Sequence, residues 1–275
     1  MNMDDWDVVE HMLIADRKRT IDIDYMKNQP IITPHIRRIV VDWILQVGYH
    51  YKFEKETIHL CVMYIDRYLS KNTITKERIQ LLATACLLIA SKFVEVNHPN
   101  VDELIDITDN SYSREELVKM EKNVLDSMSY RLRQWSTCNA FLQILLNLED
   151  NPLLEQPAMM LTDLVLQDYN LMMEYPPSLQ AASAIYLAKV ILNAQSVKSE
   201  KNWAPSLYLF NQATCTEAYR CIENLHIVLM TSFSVETQSV WDHYGQDSQL
   251  KHASSLLSQS NISTNVESMD VLPFI

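Results

Sequence analysis

The chain has 275 residues, of which 48% are hydrophobic, 21% are charged and only two are glycine. So few glycines argue against dinucleotide-binding folds, phosphate-binding glycine loops and turn-rich β-sandwiches, which need positive-φ positions. A formal net charge of −12 argues against nucleic acid as a main partner, because proteins that bind nucleic acid are basic. The composition favours an all-α protein, long enough for one large domain or two ordinary ones.

The five cysteines show neither a disulfide pattern nor a metal-site pattern. Their number is odd, no two have C-x-x-C spacing, and four lie within apolar helical patterns. We therefore expect small core residues in a reducing compartment. The acidic N-terminus has no apolar signal segment, and the apolar run at 79–93 is shorter than the roughly 20 residues that cross a bilayer. The sequence predicts a soluble intracellular protein with no membrane contact, no metal and no cofactor.

Residues 4–18 predict an N-terminal helix that begins with acids and ends with bases, as the helix dipole favours. It carries an apolar stripe that consists of Trp6, Val9, Leu13 and Ile14. We therefore expect this helix to dock on the body of the protein. A polar connector follows at 25–34, where Thr33 and Pro34 have the pattern of an N-cap and the first residue of a helix.

Five helical segments come next, at 35–50, 54–70, 75–93, 101–108 and 113–129. The third is apolar on every face, so we predict a central helix surrounded by protein. Thr75 marks the start of this third helix, and Ser113 with Glu116 forms a capping-box pattern at the start of the fifth.

A second set of five segments lies at 137–150, 154–174, 178–194, 205–213 and 214–231. Its third helix repeats the third helix of the first set at an offset of about 97 residues, with Lys189 at the position of Lys92. The order and lengths of the segments indicate a duplicated five-helix unit. The predicted boundaries are 1–34 for the first helix and connector, 35–134 and 135–234 for the two units, and 235–275 for a short helix and flexible tail.

The chain carries no recognisable catalytic motif. Zinc-protease, nucleophile-elbow and phosphate-loop patterns are missing, and the eight histidines are scattered along the sequence. The sequence therefore shows no enzymatic chemistry.

Residues 35–53 carry two apolar stripes at helical spacing. The first consists of Ile36, Val40, Trp43 and Val47. The second consists of Val41, Ile44, Leu45 and Gly48. One stripe buries the helix against its own core. The other has two explanations: either the helix is sandwiched between neighbours, or an exposed groove receives a partner peptide.

Five segments match a known set of motifs in order and spacing. They are 25–30 (YMKNQP), 37–48 (RRIVVDWILQVG), 64–70 (YIDRYLS), 88–93 (LIASKF) and 107–121, which contains ITDNSY and the Met-Glu pair at its end. The chain resembles the A/B-type cyclins over about 4–240, and the connector is closest to that of A-type cyclins.

The resemblance implies a fold of two tandem five-helix cyclin boxes with an N-terminal docking helix. It also implies a function, which is to bind and allosterically activate a cyclin-dependent Ser/Thr protein kinase and to help recruit its substrates during cell-cycle progression. The chain would itself be no enzyme, and its expected location is nuclear and cytoplasmic.

The resemblance also assigns roles to individual residues. It places a kinase interface at Lys92, Phe93, Glu121 and Tyr130. It assigns Arg37 and Asp66 to an ion pair that braces the first helix of the box against the second. Without the motif match, the two charges of the interface would be interpreted as solvated helix ends.

A hydrophobic patch for R-x-L substrates and inhibitors is implied as well. It consists of Ile36, Ile39, Val40, Trp43, Gln46, Ile79, Gln80 and Leu81. Ile36 replaces a Met that the family usually has, and Val94 replaces a common Glu near the kinase face. Gln46 replaces a Glu of A-type cyclins, so we expect weakened R-x-L docking without the charge-assisted bond to the peptide arginine.

Three alternatives remain open at this stage. A double box like that of transcription factor IIB would hold DNA, but it should be basic and usually carries a zinc ribbon. A helical enzyme would need a convergent polar cluster, and none is visible. A cyclin that binds a kinase without activating it is a third, milder variant.

Overall fold

The computed structural model describes residues 3–17, 24–133, 135–149, 151–192, 212–232 and 238–245, and every regular element among them is helical. The first unit and the segment before it contain α1 (Met3–Arg17), α2 (Pro34–Tyr51), α3 (Lys55–Leu69), α4 (Ile79–Val94), α5 (Val101–Ile107) and α6 (Arg114–Ser127). The second unit and the segment after it contain α7 (Cys138–Glu149), α8 (Glu155–Gln167), α9 (Tyr169–Glu174), α10 (Pro177–Leu192), α11 (Gln212–Ser232) and α12 (Ser239–Tyr244). The all-α prediction is confirmed.

The centre of the first unit is α4. All its residues from Leu81 to Ser91 are buried, and it packs against α2, α3 and α6. A helix that is apolar all round can be stable only inside such a shell, because each face must be removed from water. The sequence predicted that this helix begins at Thr75. In the structure Thr75 precedes a short 3-10 turn, Lys76–Arg78, and α4 itself begins at Ile79.

Local signals fix the ends of several helices. The Thr33 side chain accepts a hydrogen bond from the backbone N–H of Ile36 and caps α2. Ser113 and Glu116 form the predicted capping box of α6. Close packing also depends on Gly48, because a Cβ at this position would lie 2.5 Å from Cδ1 of the buried Ile58 on α3.

The second unit repeats the arrangement around α10, which is buried along most of its length and packs against α7, α8 and α11. The single helix predicted at 154–174 is wrong, since the chain leaves α8 at Asp168 in an extended conformation. The Asp168 side chain then accepts from the N–H of Leu171 and caps α9. Residues 205–211 of the predicted fourth segment and the tail beyond Gly245 lie outside the described residues, and the last two residues of that segment belong to α11.

The N-terminal helix docks on the second unit through α10. Val9 is buried, Leu13 is half-buried, and Asp16 accepts a hydrogen bond from the N–H of Ser178 at the start of α10. Ile14 is an exception to the predicted stripe, since 43% of its surface is exposed.

Buried carboxylates connect α12 to both units. Asp42 on α2 accepts from Gln167 on α8 and from both the N–H and the hydroxyl of Ser239 on α12. Asp163 on α8 accepts from Tyr244 on α12 at 2.9 Å. These bonds hold the two units in one fixed relation.

Candidate functional site

The interface predicted from the sequence lies where the last turn of α4 meets the middle of α6. The ammonium group of Lys92, in the last turn of α4, lies 2.7 Å from a carboxylate oxygen of Glu121 on α6. The Lys92 side chain is 41% exposed and that of Glu121 is 15% exposed. An ion pair at this exposure contributes little to stability but holds both polar groups in one orientation.

The two aromatic residues of the predicted interface are exposed: Phe93 directly follows Lys92, and Tyr130 follows the end of α6. Phe93 is 44% exposed and Tyr130 is 62% exposed, although large aromatic residues usually bury most of their surface. Tyr130 has a left-handed backbone, with φ 57°, and its hydroxyl donates to Asp126 at 2.9 Å. This bond raises the pKa of Tyr130 and fixes the ring direction. The four predicted interface residues thus combine an ordered charge pair with unburied apolar surface.

Arg37 and Asp66 form a two-bond ion pair between α2 and α3. The guanidinium Nε and Nη2 atoms lie 2.8 Å from the two Asp66 oxygens, and both side chains are almost fully buried. Burial alone would lower the pKa of Arg37, but the Asp66 carboxylate outweighs it and raises that pKa. Sequence reasoning missed two further partners: the Tyr25 hydroxyl donates to Asp66, and Arg37 Nη1 donates to the carbonyl of Leu166 on α8.

The predicted docking patch is a shallow apolar surface formed by α2 and the start of α4. Its floor is buried and consists of Val40, Ile79 and Leu81. Ile36, Trp43 and Gln80 are half-buried, and Ile39 is 46% exposed. The second stripe of α2 lies inside the core, and Val40 and Val47 of the first stripe are buried as well. Ile36 and Trp43 are the members of the first stripe that reach the surface in part.

Gln46 lies exposed at the edge of this patch. Its side-chain Nε2 donates to Oδ2 of Asp42 at 3.2 Å, which leaves the Gln46 carbonyl oxygen as the acceptor presented to solvent. Behind it, the Asp42 carboxylate is buried and already accepts from Gln167 and Ser239. The patch therefore offers a ligand a neutral acceptor at this position.

The second unit has no comparable exposed pair at the corresponding position. Lys189, at the position of Lys92 in the repeat, pairs with Glu149 on α7, and both side chains are largely buried. The pair therefore belongs to the internal packing of the second unit.

Within the part of the chain that the structure describes, no group of three or more His, Cys, Asp or Glu residues is placed to hold a metal ion. Among the described helices, none combines the length and apolarity that a membrane crossing needs.

Two family models match this chain, the cyclin N-terminal domain over 7–133 and the cyclin C-terminal domain over 136–259. Cyclin-A2 of Gallus gallus is 37% identical over 86% of this chain and 58% of its own length. Cyclin-A1-4 of Oryza sativa subsp. japonica is 34% identical over 88% and 68%, and Cyclin-A1-1 of Arabidopsis thaliana is 33% identical over 87% and 52%. The chain thus spans about half the length of several curated relatives that it matches.

Two solved structures have a similar fold. A viral cyclin from herpesvirus saimiri superposes with a TM-score of 0.70 at 21% identity and covers 86% of this chain and 100% of its own. A chain of the yeast RNA Pol II CTD kinase CTDK-1 complex superposes with a TM-score of 0.55 at 19% identity, over 86% and 81%.

Proposed function

Since this chain belongs to the cyclin family, we propose that it is a regulatory subunit that binds and allosterically activates a cyclin-dependent Ser/Thr protein kinase during the cell cycle. The observation that carries the proposal is the Lys92–Glu121 pair at the surface, with the exposed Phe93 next to Lys92 in the chain. Aromatic anchors commonly dominate the energy of such interfaces. The chain would itself supply no chemistry.

The mechanism is a population shift in the kinase. In an inactive kinase the regulatory C-helix is displaced, so the Lys–Glu pair that positions the ATP phosphates is broken. A rigid surface that binds only the inward position of that helix favours the active state by its differential affinity. Moving the ratio from 1:99 to 99:1 takes about 5.5 kcal/mol of preference, which an interface with aromatic anchors can supply.

The binding step can be tested by titrating the chain into a purified cyclin-dependent kinase. We expect Phe93→Ala and the double variant Lys92→Ala/Glu121→Ala each to raise the Kd by about tenfold or more, since both remove contacts at the centre of the interface. The control is Arg114→Ala/Asp102→Ala, which removes an exposed pair elsewhere on the first unit and should change the Kd by about twofold at most. Equal Kd values for all variants would show that the kinase does not bind at the surface formed by Lys92, Phe93 and Glu121.

The apolar surface on α2 and α4 would dock R-x-L segments of substrates or inhibitors. Because Gln46 presents a neutral oxygen, the peptide arginine would lose the charge-assisted part of its bond. We expect Gln46→Glu to tighten binding of an R-x-L peptide by about fivefold or more, and to do nothing for the same peptide with citrulline in place of arginine. An equal effect on both peptides would contradict this role.

A double box that holds promoter DNA is not favoured. The family models and relatives are cyclins, and the net charge of −12 opposes DNA binding. A nuclear and cytoplasmic location is part of the proposal, because the substrates of such a kinase would lie in both compartments.

A further inference from the structure

A small crevice lies at the end of the first unit, beside the start of α4. It has a volume of about 290 Å³, and the polar part of its lining consists of Tyr68, Thr73, Thr75, Arg78, Lys119 and Asn123. The lining contains two cations, four hydroxyl or amide groups and no acid. This composition is unusual on a chain whose net charge is −12.

The two cations are available to a ligand. Within the described residues, neither Arg78 nor Lys119 takes part in an ion pair, and both are exposed. Tyr68 lines the same crevice as Arg78, and burial raises the pKa of the Tyr68 hydroxyl. The crevice therefore holds unneutralised positive charge next to hydrogen-bonding groups.

The start of α4 adds to this positive potential. Among the described contacts, no side chain caps this 16-residue helix, and its N-cap position is Arg78 itself. Hydrogen bonds from its own backbone N–H and from the Thr75 hydroxyl lower the pKa of Glu77, which does not line the crevice, so Thr75 is not among the donors left for a ligand. An anion is thus already favoured at this helix start.

Another cleft on the protein has a lining of the opposite charge. The larger cleft between α9 and α11 is lined by Asp24, Asp168 and Glu174 and by no Lys or Arg. The positive crevice also adjoins the docking patch, because Arg78 directly precedes Ile79 and Gln80 in the chain. A peptide on the patch would therefore reach Arg78 first, and through it the crevice that Lys119 also lines.

We propose that the crevice around Arg78 and Lys119 binds a phosphoserine or phosphothreonine of a partner peptide that docks on the neighbouring apolar patch. A phosphate monoester carries a charge of about −1.5 to −2 and three acceptor oxygens, which matches two cations with hydroxyl and amide donors. The choice of a phosphorylated peptide rests on the proposed function, since the bound kinase would itself produce phosphoserine and phosphothreonine. Substrates phosphorylated once would then be retained for further phosphorylation.

The test is a binding measurement on the full chain without kinase, so its result does not depend on whether the chain activates one. The probes are R-x-L peptides joined by Gly-Ser linkers of several lengths to either phosphoserine or serine. For the best linker, we expect the phosphoserine peptide to bind about tenfold more tightly than its serine counterpart at low ionic strength. In Arg78→Gln/Lys119→Gln the ratio should fall to about two or less.

The matched control is Lys122→Gln/Arg220→Gln, which removes two exposed cations that do not line the crevice and should keep the tenfold ratio. A ratio near one for the unmodified chain, or a ratio that survives loss of Arg78 and Lys119, would overturn the proposal. If inorganic phosphate binds as tightly as the phosphoserine peptide does, the crevice is a site for the free anion and the peptide assignment is wrong.

Discussion

The ion pair between Arg37 and Asp66 is the most completely buried pair of charges in the described part of the chain. Its two charges leave water at a large cost, which is offset only because every donor and acceptor nearby is used. Tyr25 donates to Asp66, and the Leu166 carbonyl accepts from Arg37. The pair therefore joins α2 to α3 and also to the second unit.

Asp66→Asn tests this account at the level of one residue. The change keeps the shape of the side chain but leaves the Arg37 guanidinium buried without a countercharge, so we expect a loss of about 3 to 5 kcal/mol in the free energy of unfolding. Urea denaturation measures it. The control, Asp102→Asn, removes one side of an exposed pair and should cost less than about 1 kcal/mol. A loss for Asp66→Asn no larger than that of the control would contradict the account.

Four helices meet at the buried carboxylate of Asp163 on α8. It accepts from Tyr49 on α2 at 2.8 Å, from Lys55 on α3 at 2.5 Å and from Tyr244 on α12 at 2.9 Å. The second oxygen has no hydrogen-bond partner and lies 4.0 Å from Nε2 of His59, which is also buried. Burial lowers the pKa of His59 to about 4, so this imidazole is neutral in the folded protein.

This cluster predicts a dependence of stability on pH. The unfolded chain takes up a proton at His59 near pH 6.5, whereas the folded chain does so only near pH 4, so stability falls as the pH drops through that window. Between about pH 7 and pH 5 the free energy of unfolding should drop in both proteins. We expect the drop to be about 2 kcal/mol smaller in His59→Gln than in the unmodified chain. Urea denaturation at both pH values measures this. The exposed His35→Gln serves as control, and an unchanged slope in His59→Gln would refute the prediction.

Elements that depend on local signals could be predicted, whereas the cluster at Asp163 could not. The capping box at Ser113 and the cap at Thr33 involve residues three apart, so the pattern is visible in the sequence. The partners of Asp163 lie 81 to 114 residues away, and no pattern relates them. The break at Asp168 had a local signal, a capping Asp, but apolar residues at helical spacing lie on both sides of it.

In the candidate site, too, some features could be predicted from the sequence and others needed the structure. Lys92, Glu121 and the patch residues were placed by motif resemblance, and the structure adds what the motif could not give, namely which groups are exposed. The bond from Gln46 to Asp42 also needed coordinates, because Asp42 is oriented by Gln167 and Ser239, more than 120 residues further along the chain.

At the scale of the whole molecule, buried hydrogen bonds and ion pairs join the two units, and the Lys92–Glu121 pair lies at the surface of the first. The bonds of Asp42, Asp163 and Arg37 cross between the units, while the equivalent pair of the second unit, Lys189 with Glu149, is largely buried. A rigid surface is what a population shift requires, since a surface that adapts to both kinase states would prefer neither.

The most direct test of the central claim is the rate at which a purified cyclin-dependent kinase phosphorylates histone H1 with and without this chain. We expect a stimulation of about 100-fold or more at saturating chain, since a shift of several kcal/mol toward the active state corresponds to at least that factor. The variant Lys92→Ala/Glu121→Ala should need about tenfold more chain for half of that stimulation. Binding without any stimulation across a panel of such kinases would contradict the claim that this chain is an activator.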